Sequence, residues 1–376
     1  MSFLRNFFGT SAVPAKEEKK PIRALPASWY TSKDMYELER RAIFSRKWLL
    51  TTHKHRVPNT GDRVRYDAAG YEFTVAKDNN GTITAFHGND LFPAHVHIDR
   101  NGFVWVNLDT SETPEVAWKD DFEGVDEQPR FDHYNFEDYN FDHTWDLEGE
   151  FNWKILADNY NECYHCQVAH PDIPTIADLN SYYVKTKACH IQHYGAQRQD
   201  QIDKGFRIAV TYFWPNASFN ISPHFFFMQR FTPTSPTQCV MRYEVYRHKD
   251  ATDEAFNLIS DMYKRIMSED KYLCVNTQKN LDAGVFVNGQ LHPEMEQGPL
   301  HFQKTVRDVV TEHYAKEEAA GHQIWPAKYD LPVDVAVSQD QENVALRTGG
   351  HSYGVEVDTF KDAIGSGLST VTAIAV

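Results

Sequence analysis

A stretch of twenty residues, 152–171, concentrates side chains that could bind a metal ion. Within it, Asp158, Glu162 and His165 follow one another at intervals of four and three residues. At about 100° per residue, these intervals place all three on one face of a helix. Three titratable groups on one face form a candidate metal site.

A second histidine, His170, follows His165 by five residues and directly precedes Pro171. Proline disfavours helical dihedrals at the residue before it. We therefore expect the helix to end near Ala169 and His170 to fold back beside His165. A histidine pair alone is more often structural, so the metal interpretation depends on a third ligand.

The third candidate ligand is Asp270, which lies on a long helix predicted from about Thr252 to Leu281. Its position falls within an apolar stripe of that helix. The stripe consists of Ile259, Met262, Tyr263, Ile266, Met267, Leu273, Cys274 and Thr277. Burying an unpaired carboxylate is unfavourable by several kcal/mol, so Asp270 needs either a basic neighbour or a divalent metal.

Two neutral imidazoles and one carboxylate leave adjacent positions of an octahedral iron open, as O₂ activation beside a substrate requires. We therefore predict a mononuclear iron site with His165, His170 and Asp270 as ligands. The neighbouring Glu269 is predicted to point off the stripe into solvent.

A zinc site is the competing interpretation. Cys163 and Cys166 are spaced like half of a structural zinc set, and Cys189 and His193 could complete it. Against this, the second pair has neither Cys-x2-Cys nor His-x3-His spacing.

Composition and charge exclude several classes of partner. The 376 residues carry a net charge of −15, which argues against nucleic acid or an anionic membrane as the main partner. Five cysteines and no recognisable secretory signal predict a cytoplasmic protein without a disulfide framework. The sequence contains no apolar run of the ~18 residues expected of a transmembrane helix.

The order of elements predicts an α+β fold in two domains. Short strands with turn signals predict a small antiparallel β domain, and a later mixture of strands and helices predicts a second domain. The predicted segments are a disordered arm (1–28), a β domain (29–110), a linker (111–130), a catalytic domain (131–330) and a tail (331–376).

Several motifs resemble one family along most of the chain. They are Asn152-Trp153-Lys154, Asp158-Asn159, Glu162-x2-His165-x4-His170-Pro171 and Glu269-Asp270-x7-Gln278-Lys279-x-Leu281. Together they resemble the α subunits of Rieske non-haem iron oxygenases, particularly the choline monooxygenase-like branch.

The resemblance implies a helix-grip catalytic domain, iron held by His165, His170 and Asp270, and assembly as a trimer. It makes Glu162 the acidic link to the neighbouring subunit's cluster, and makes Asp158 and Asn159 further candidate catalytic residues. It also implies O₂ and a ferredoxin or reductase as partners.

One departure from the family pattern is large. The family binds a [2Fe–2S] cluster through cysteine and histidine pairs in its first domain, whereas no cysteine precedes Cys163 here. His87, His95 and His97 cannot replace absent thiolates. Three explanations follow: a truncated form of an ordinary oxygenase, which we favour, an enzyme that receives electrons from a full-length partner subunit, or a cluster-free iron protein.

By the same resemblance, the substrate is a small amine that is hydroxylated or N-demethylated. A quaternary ammonium group binds over aromatic faces, and Phe213, Trp214, Phe227 and Tyr243 are the candidate substrate contacts. The alternative is a ligand-binding or regulatory subunit without independent turnover. In the tail, Leu346–Tyr353 is similar to a short piece of flavin-linked oxidases, although too few residues surround it to form a flavin domain.

Overall fold

The computed structural model describes residues 22–329, apart from Asn89 and residues 204–206. The expectation of a disordered arm is wrong for residues 22–28. Ile22–Arg23 form strand β1, which pairs antiparallel with Gln290–Leu291 near the other end of the described chain. Residues 1–21 and the predicted 331–376 tail, including Leu346–Tyr353, lie outside the described residues.

A helical segment precedes the first sheet. It consists of α1 (Ser28–Thr31), α2 (Lys33–Glu39) and a π-helical turn (Arg40–Phe44). Ser32 begins α2, because its Oγ accepts a hydrogen bond from the Met35 backbone N–H at 3.2 Å.

The first sheet has six antiparallel strands in the order β2-β7-β6-β5-β4-β3. They are β2 (Leu49–His53), β3 (Arg63–Ala68), β4 (Tyr71–Lys77), β5 (Ile83–His87), β6 (Phe92–Ile98) and β7 (Phe103–Asn107). Strands β3, β4, β5 and β7 match the strand-like runs that the sequence shows at Arg63–Tyr66, Tyr71–Lys77, Thr82–Phe86 and Phe103–Leu108. Sequence patterns missed β2, which is buried throughout and shows no alternation, and β6, which contains Pro93.

The predicted linker, residues 111–130, packs against the first sheet. It contains the short helix α3 (Trp118–Phe122). Asp121 accepts hydrogen bonds from the buried Lys47 ammonium at 3.1 and 3.2 Å, and Glu115 pairs with Arg46 at 2.8 Å. These ion pairs make the segment part of the folded structure.

The second sheet has seven antiparallel strands in the order β8-β14-β13-β12-β11-β10-β9. They are β8 (Tyr139–Gly149), β9 (Ala177–Lys187), β10 (His190–Gln197), β11 (Ala209–Phe213), β12 (Ala217–Ile221), β13 (Phe225–Ser235) and β14 (Gln238–His248). Strand register aligns Tyr212, Ser218, Gln229 and Tyr243 across four neighbouring strands. Directly opposed residues share one face of an antiparallel sheet, so this row marks the face that receives the helices.

Three helices pack on that face: α4 (Trp153–Tyr160), α8 (Asp253–Asp282) and α9 (Gln297–Ala320). The shorter helices are α5 (Cys166–Ala169), α6 (Ile173–Ile176) and α7 (Gln199–Asp203). The long α8 begins after Thr252 and ends one residue beyond Leu281, which confirms the predicted helix. It lies along the sheet, where its Tyr263 hydroxyl accepts a hydrogen bond from Asn220 Nδ2 at 2.9 Å. Across the described residues, no helix combines the length and apolar character that a bilayer span requires.

The opposite face of the second sheet packs on the first sheet through aromatic rings. Phe103 lies 4.9 Å from Phe219, and Trp105 lies 5.5 Å from Phe213, between ring centroids. The arrangement is an α+β fold with antiparallel sheets, as predicted. One sheet face is left to form a site beneath α4 and α8.

Candidate metal centre

The predicted ligand helix is broken just before the ligands. Helix α4 ends at Tyr160, and Asn161 is fully buried with its Nδ2 donating to the Ala157 carbonyl at 2.8 Å. The first turn of α9 abuts this point, since a Cβ on Gly298 would lie 2.0 Å from the Asn161 carbonyl oxygen. The prediction that Asp158, Glu162 and His165 share one continuous helix face is therefore wrong.

His170 takes the position that was predicted for it. The short helix α5 ends at Ala169, and His170 has extended dihedrals (φ −119°, ψ 91°), as its neighbour Pro171 favours. The rings of His165 and His170 are 5.1 Å apart between centroids. The chain thus folds back and brings the two imidazoles together.

Asp270 meets both histidines at one point. Its Oδ1 lies 3.4 Å from His165 Nε2 and 3.1 Å from His170 Nε2. His170 and Asp270 are 2% and 6% exposed, so the contact is shielded from solvent. Three side chains from two separate parts of the chain therefore present two nitrogens and an oxygen to the same space.

The outward-facing nitrogen of each imidazole is held by a carboxylate. His165 Nδ1 contacts Glu162 Oε1, and His170 Nδ1 lies 2.8 Å from Glu269 Oε2. The prediction that Glu269 is a solvated bystander is wrong. Pairing Nδ1 with a carboxylate fixes the ring orientation and leaves Nε2 for a metal.

The two remaining polar residues of the predicted site have different surroundings. Asn159 Nδ2 donates to Asp270 Oδ1 at 2.7 Å, so this residue belongs to the centre. Asp158 instead accepts hydrogen bonds from the Tyr30 hydroxyl at 2.7 Å and from Gln303 Nε2 at 2.9 Å. Asp158 anchors α4 to α1 and α9 and does not touch the ligands.

The electrostatics of the centre favour a cation. Burial alone would lower the pKa of His165, but Asp270 and Glu162 together raise it to about 9. Burial opposes ionisation of Asp270 as well, yet the two imidazoles hold its pKa below the usual value. Three carboxylates around two imidazoles thus stabilise positive charge, which a divalent metal ion would supply.

The competing zinc set does not assemble. Cys163 and Cys166 are joined in a disulfide, and the buried Cys189 lies near Asp121 and Lys47 at the contact between the two sheets. His193 hydrogen-bonds to Tyr182 through Nδ1 at 2.9 Å. Cys166 Sγ does lie within 4.8 Å of the ligating nitrogens of His165 and His170, but a sulfur in a disulfide offers no thiolate.

Two of the four predicted substrate contacts lie on the helix-covered face of the sheet. Tyr243 is stacked on Trp145 at 3.8 Å, and its hydroxyl accepts a hydrogen bond from Gln229 Nε2 at 2.8 Å. Phe227 packs against Tyr263 of α8, with 4.9 Å between ring centroids. Both rings belong to the layer between the sheet and the ligand-bearing helices.

The other two predicted contacts lie elsewhere, which corrects the prediction. Phe213 points to the opposite face and packs on Trp105, because successive side chains of a strand alternate between faces. Trp214 follows the strand end, where the Lys47 ammonium lies 6.0 Å from its ring. The sequence alone could not show that Phe213 and Phe227 lie on opposite faces of the sheet, because that depends on the strand register.

Comparison with known proteins relates this part of the chain to a known family. Residues 136–312 match the family model for the ring hydroxylating alpha subunit (catalytic domain). The matched segment is similar to that catalytic domain, and members of its family are iron-dependent oxidoreductases. Glu162, His165, His170 and Asp270 all fall within the matched range.

Related proteins match about 70% of the chain. The carnitine monooxygenase oxygenase subunit of Acinetobacter baumannii is 23% identical, over 69% of this chain and 85% of its own length. The chloroplastic choline monooxygenase of Beta vulgaris is 20% identical, over 74% and 75%.

Solved structures share the fold. The quaternary ammonium Rieske monooxygenase CntA, in complex with L-carnitine, aligns with a TM-score of 0.67 at 20% identity, over 77% of this chain and 96% of that one. Naphthalene 1,2-dioxygenase from Rhodococcus aligns with a TM-score of 0.62 at 13% identity, over 77% and 95%.

Proposed function

We propose that this chain binds one ferrous iron through His165, His170 and Asp270 and supports O₂-dependent hydroxylation or N-demethylation of a small quaternary ammonium compound. The observation that carries the proposal is the convergence of two Nε2 atoms on one Asp270 oxygen, with both Nδ1 atoms held by carboxylates. When bound, ferrous iron supplies the one-electron chemistry that O₂ activation requires. The protein's part is to fix the ligands and to shield the site from water.

The layer beneath α8 suits a cationic substrate that cannot donate hydrogen bonds. A quaternary ammonium group is attracted to aromatic faces by about 1–2 kcal/mol per ring at desolvated sites. Tyr243 and Phe227 are 1% and 4% exposed, and Trp145 covers one side of the Tyr243 ring. Gln229 lies beside them, and its amide orients the Tyr243 ring by donating from Nε2 to the Tyr243 hydroxyl.

The family's second cofactor does not fit this chain. The sequence has no cysteine before Cys163, and Cys thiolates supply at least half of the ligands of such a cluster. The two histidines of strand β6 are also engaged: the His97 ring stacks on Trp118 at 3.9 Å, and His95 Nε2 lies 2.9 Å from the Ser111 carbonyl. We therefore derive no electron transfer from a cluster within this chain.

The first sheet also closes without cluster-binding loops. Strand β5 ends at His87 and β6 begins at Phe92, and these two residues are directly paired. Pairing continues to Ala85 and Ala94 with no shift of register. This continuity supports a chain that folds without those loops.

We further propose that a cluster-bearing subunit docks where Glu162 approaches the surface, in a trimer or a mixed oligomer. A cavity of about 290 Å³ there is lined by Asp158, Asn159 and Glu162 together with residues of α8 and α9. Exposed apolar side chains line this cavity and the adjoining one of about 340 Å³: Phe286 in the first, and Tyr164 and Met295 in the second. Glu162 connects this surface to His165. A cytoplasmic site of action remains part of the proposal.

Anaerobic reconstitution tests the function. We expect one iron and no labile sulfide per chain, and product from a single turnover with carnitine, choline or betaine when dithionite and a small mediator supply electrons before O₂ is admitted. His165→Ala should lose both iron and product. Iron binding without product from any of these substrates would instead identify a binding or regulatory subunit. Two additional irons with sulfide would refute the absence of a cluster.

A further inference from the structure

The five cysteines fall into two chemical groups. Cys189, Cys239 and Cys274 are free and buried, and burial raises the pKa of each thiol, so they are poor nucleophiles. Cys163 and Cys166 are bonded to each other, and their loop of four residues contains the ligand His165. The reactive sulfur chemistry of the chain is therefore concentrated at the metal centre.

One sulfur of the pair lies within reach of the ligand space. Cys166 Sγ and the ligating nitrogens of His165 and His170 all lie within 4.8 Å of one another. In the disulfide, Cys166 has no thiolate to donate, so the ligand set is the two histidines and Asp270. Reduction would leave a thiol at the same position, and thiolates bind divalent transition metals strongly.

We propose that Cys163 and Cys166 form a reversible redox pair whose state decides whether Cys166 sulfur joins the metal ligands. This inference rests on the proposed metal centre and adds a modification site to it. A dithiol reductant cleaves the Cys163–Cys166 bond by exchange, giving two thiols in the protein and one cyclic disulfide of the reductant. Metal binding to Cys166 then releases its proton to water. Hydrogen peroxide reverses the change: two thiols and one peroxide give one disulfide and two waters.

The surrounding loop admits such reagents. Tyr164 of this loop and Val168 of the adjoining helix α5 are 70% and 90% exposed, while Cys166 itself is 5% exposed. Cys163 is half-buried and is therefore the sulfur that an incoming thiolate attacks first. The oxidised pair keeps the open positions of the metal free, and the reduced pair fills one of them.

Cobalt(II) substitution tests this without measuring activity. Metal-free protein is prepared in two forms, after peroxide treatment and after dithiothreitol, and each is freed of reagent and loaded with one equivalent of Co²⁺. Under denaturing conditions we expect three titratable thiols in the first form and five in the second, because two of the five cysteines form the pair. A near-ultraviolet thiolate-to-cobalt charge-transfer band should appear only in the reduced form.

Variants make the assignment specific. Reduced Cys163→Ser should show the band, reduced Cys166→Ser should lack it, and reduced Cys239→Ser should match wild type as the matched control for loss of a buried thiol. Identical spectra of the oxidised and reduced forms, or five thiols after peroxide, would overturn the redox proposal. If cobalt still binds in those experiments and His165→Ala abolishes binding, the metal centre stands independently. Failure of cobalt to bind in either form would overturn both.

Discussion

Removal of Glu269 should weaken metal binding although Glu269 is not one of the three proposed ligands. Its carboxylate lies 2.8 Å from Nδ1 of His170, a ring that is 2% exposed. Partners of this kind typically contribute about 10–100-fold to metal affinity, or about 1.4–2.7 kcal/mol. Because the Glu269 side chain is 32% exposed, water can replace part of its interaction. We therefore expect a loss near tenfold for Glu269→Ala.

The corresponding loss for Glu162→Ala should be larger. The Glu162 side chain is only 15% exposed and contacts His165 Nδ1, so water replaces it less well and the loss should approach a hundredfold. Asp261→Ala serves as the control, since Asp261 is an exposed acid on the same helix as Glu269. Anaerobic calorimetric titration with Fe²⁺ measures all three. If Glu269→Ala binds iron as tightly as Asp261→Ala does, the inferred role of Glu269 in orienting His170 is refuted.

Three further measurements test the fold and the substrate layer. Lys154→Met should destabilise the metal-free protein by about 3–5 kcal/mol in urea unfolding, because it leaves the fully buried Glu39 carboxylate without its ion-pair partner at 2.6 Å. Adding Glu39→Gln should recover part of that stability. If the double variant recovers none, the unpaired carboxylate is not the cause of the loss. Burial raises the pKa of Asp158 from 3.8 to about 7, so its protonated form stabilises the fold at low pH and that contribution is lost as pH rises from about 4 through 7. Asp158→Asn should reduce the change in unfolding free energy across this pH window by at most about 4 kcal/mol. If the pH dependence is the same in the variant, the pKa of Asp158 is not raised. Tyr243→Leu should weaken choline binding about 5–30-fold, as loss of about 1–2 kcal/mol of cation–π attraction predicts. If binding of the uncharged analogue 3,3-dimethylbutan-1-ol weakens equally, the variant has lost shape complementarity and not cation–π attraction.

Local sequence was sufficient for features that depend on neighbouring residues. Pro171 determines the extended backbone at His170, and Thr252 caps α8 through a hydrogen bond from the Ala255 backbone N–H at 3.2 Å. The apolar stripe of α8 also predicted that Asp270 lies on the buried face of that helix, because helical periodicity is a property of the segment itself.

What depends on distant contacts could not be read from the sequence. The break at Asn161 arises where the first turn of α9 presses on it, more than 130 residues away in the chain. The role of Glu269 depends on where the loop carrying His170 crosses α8, and the role of Phe213 depends on the register of a seven-stranded sheet. The sequence by itself therefore determined which residues could bind the metal and the absence of cysteines before residue 163. Only tertiary packing decided which carboxylates hold the imidazoles, which aromatic rings face them, and that a disulfide lies beside the ligands, because each of these depends on contacts between segments far apart in the chain.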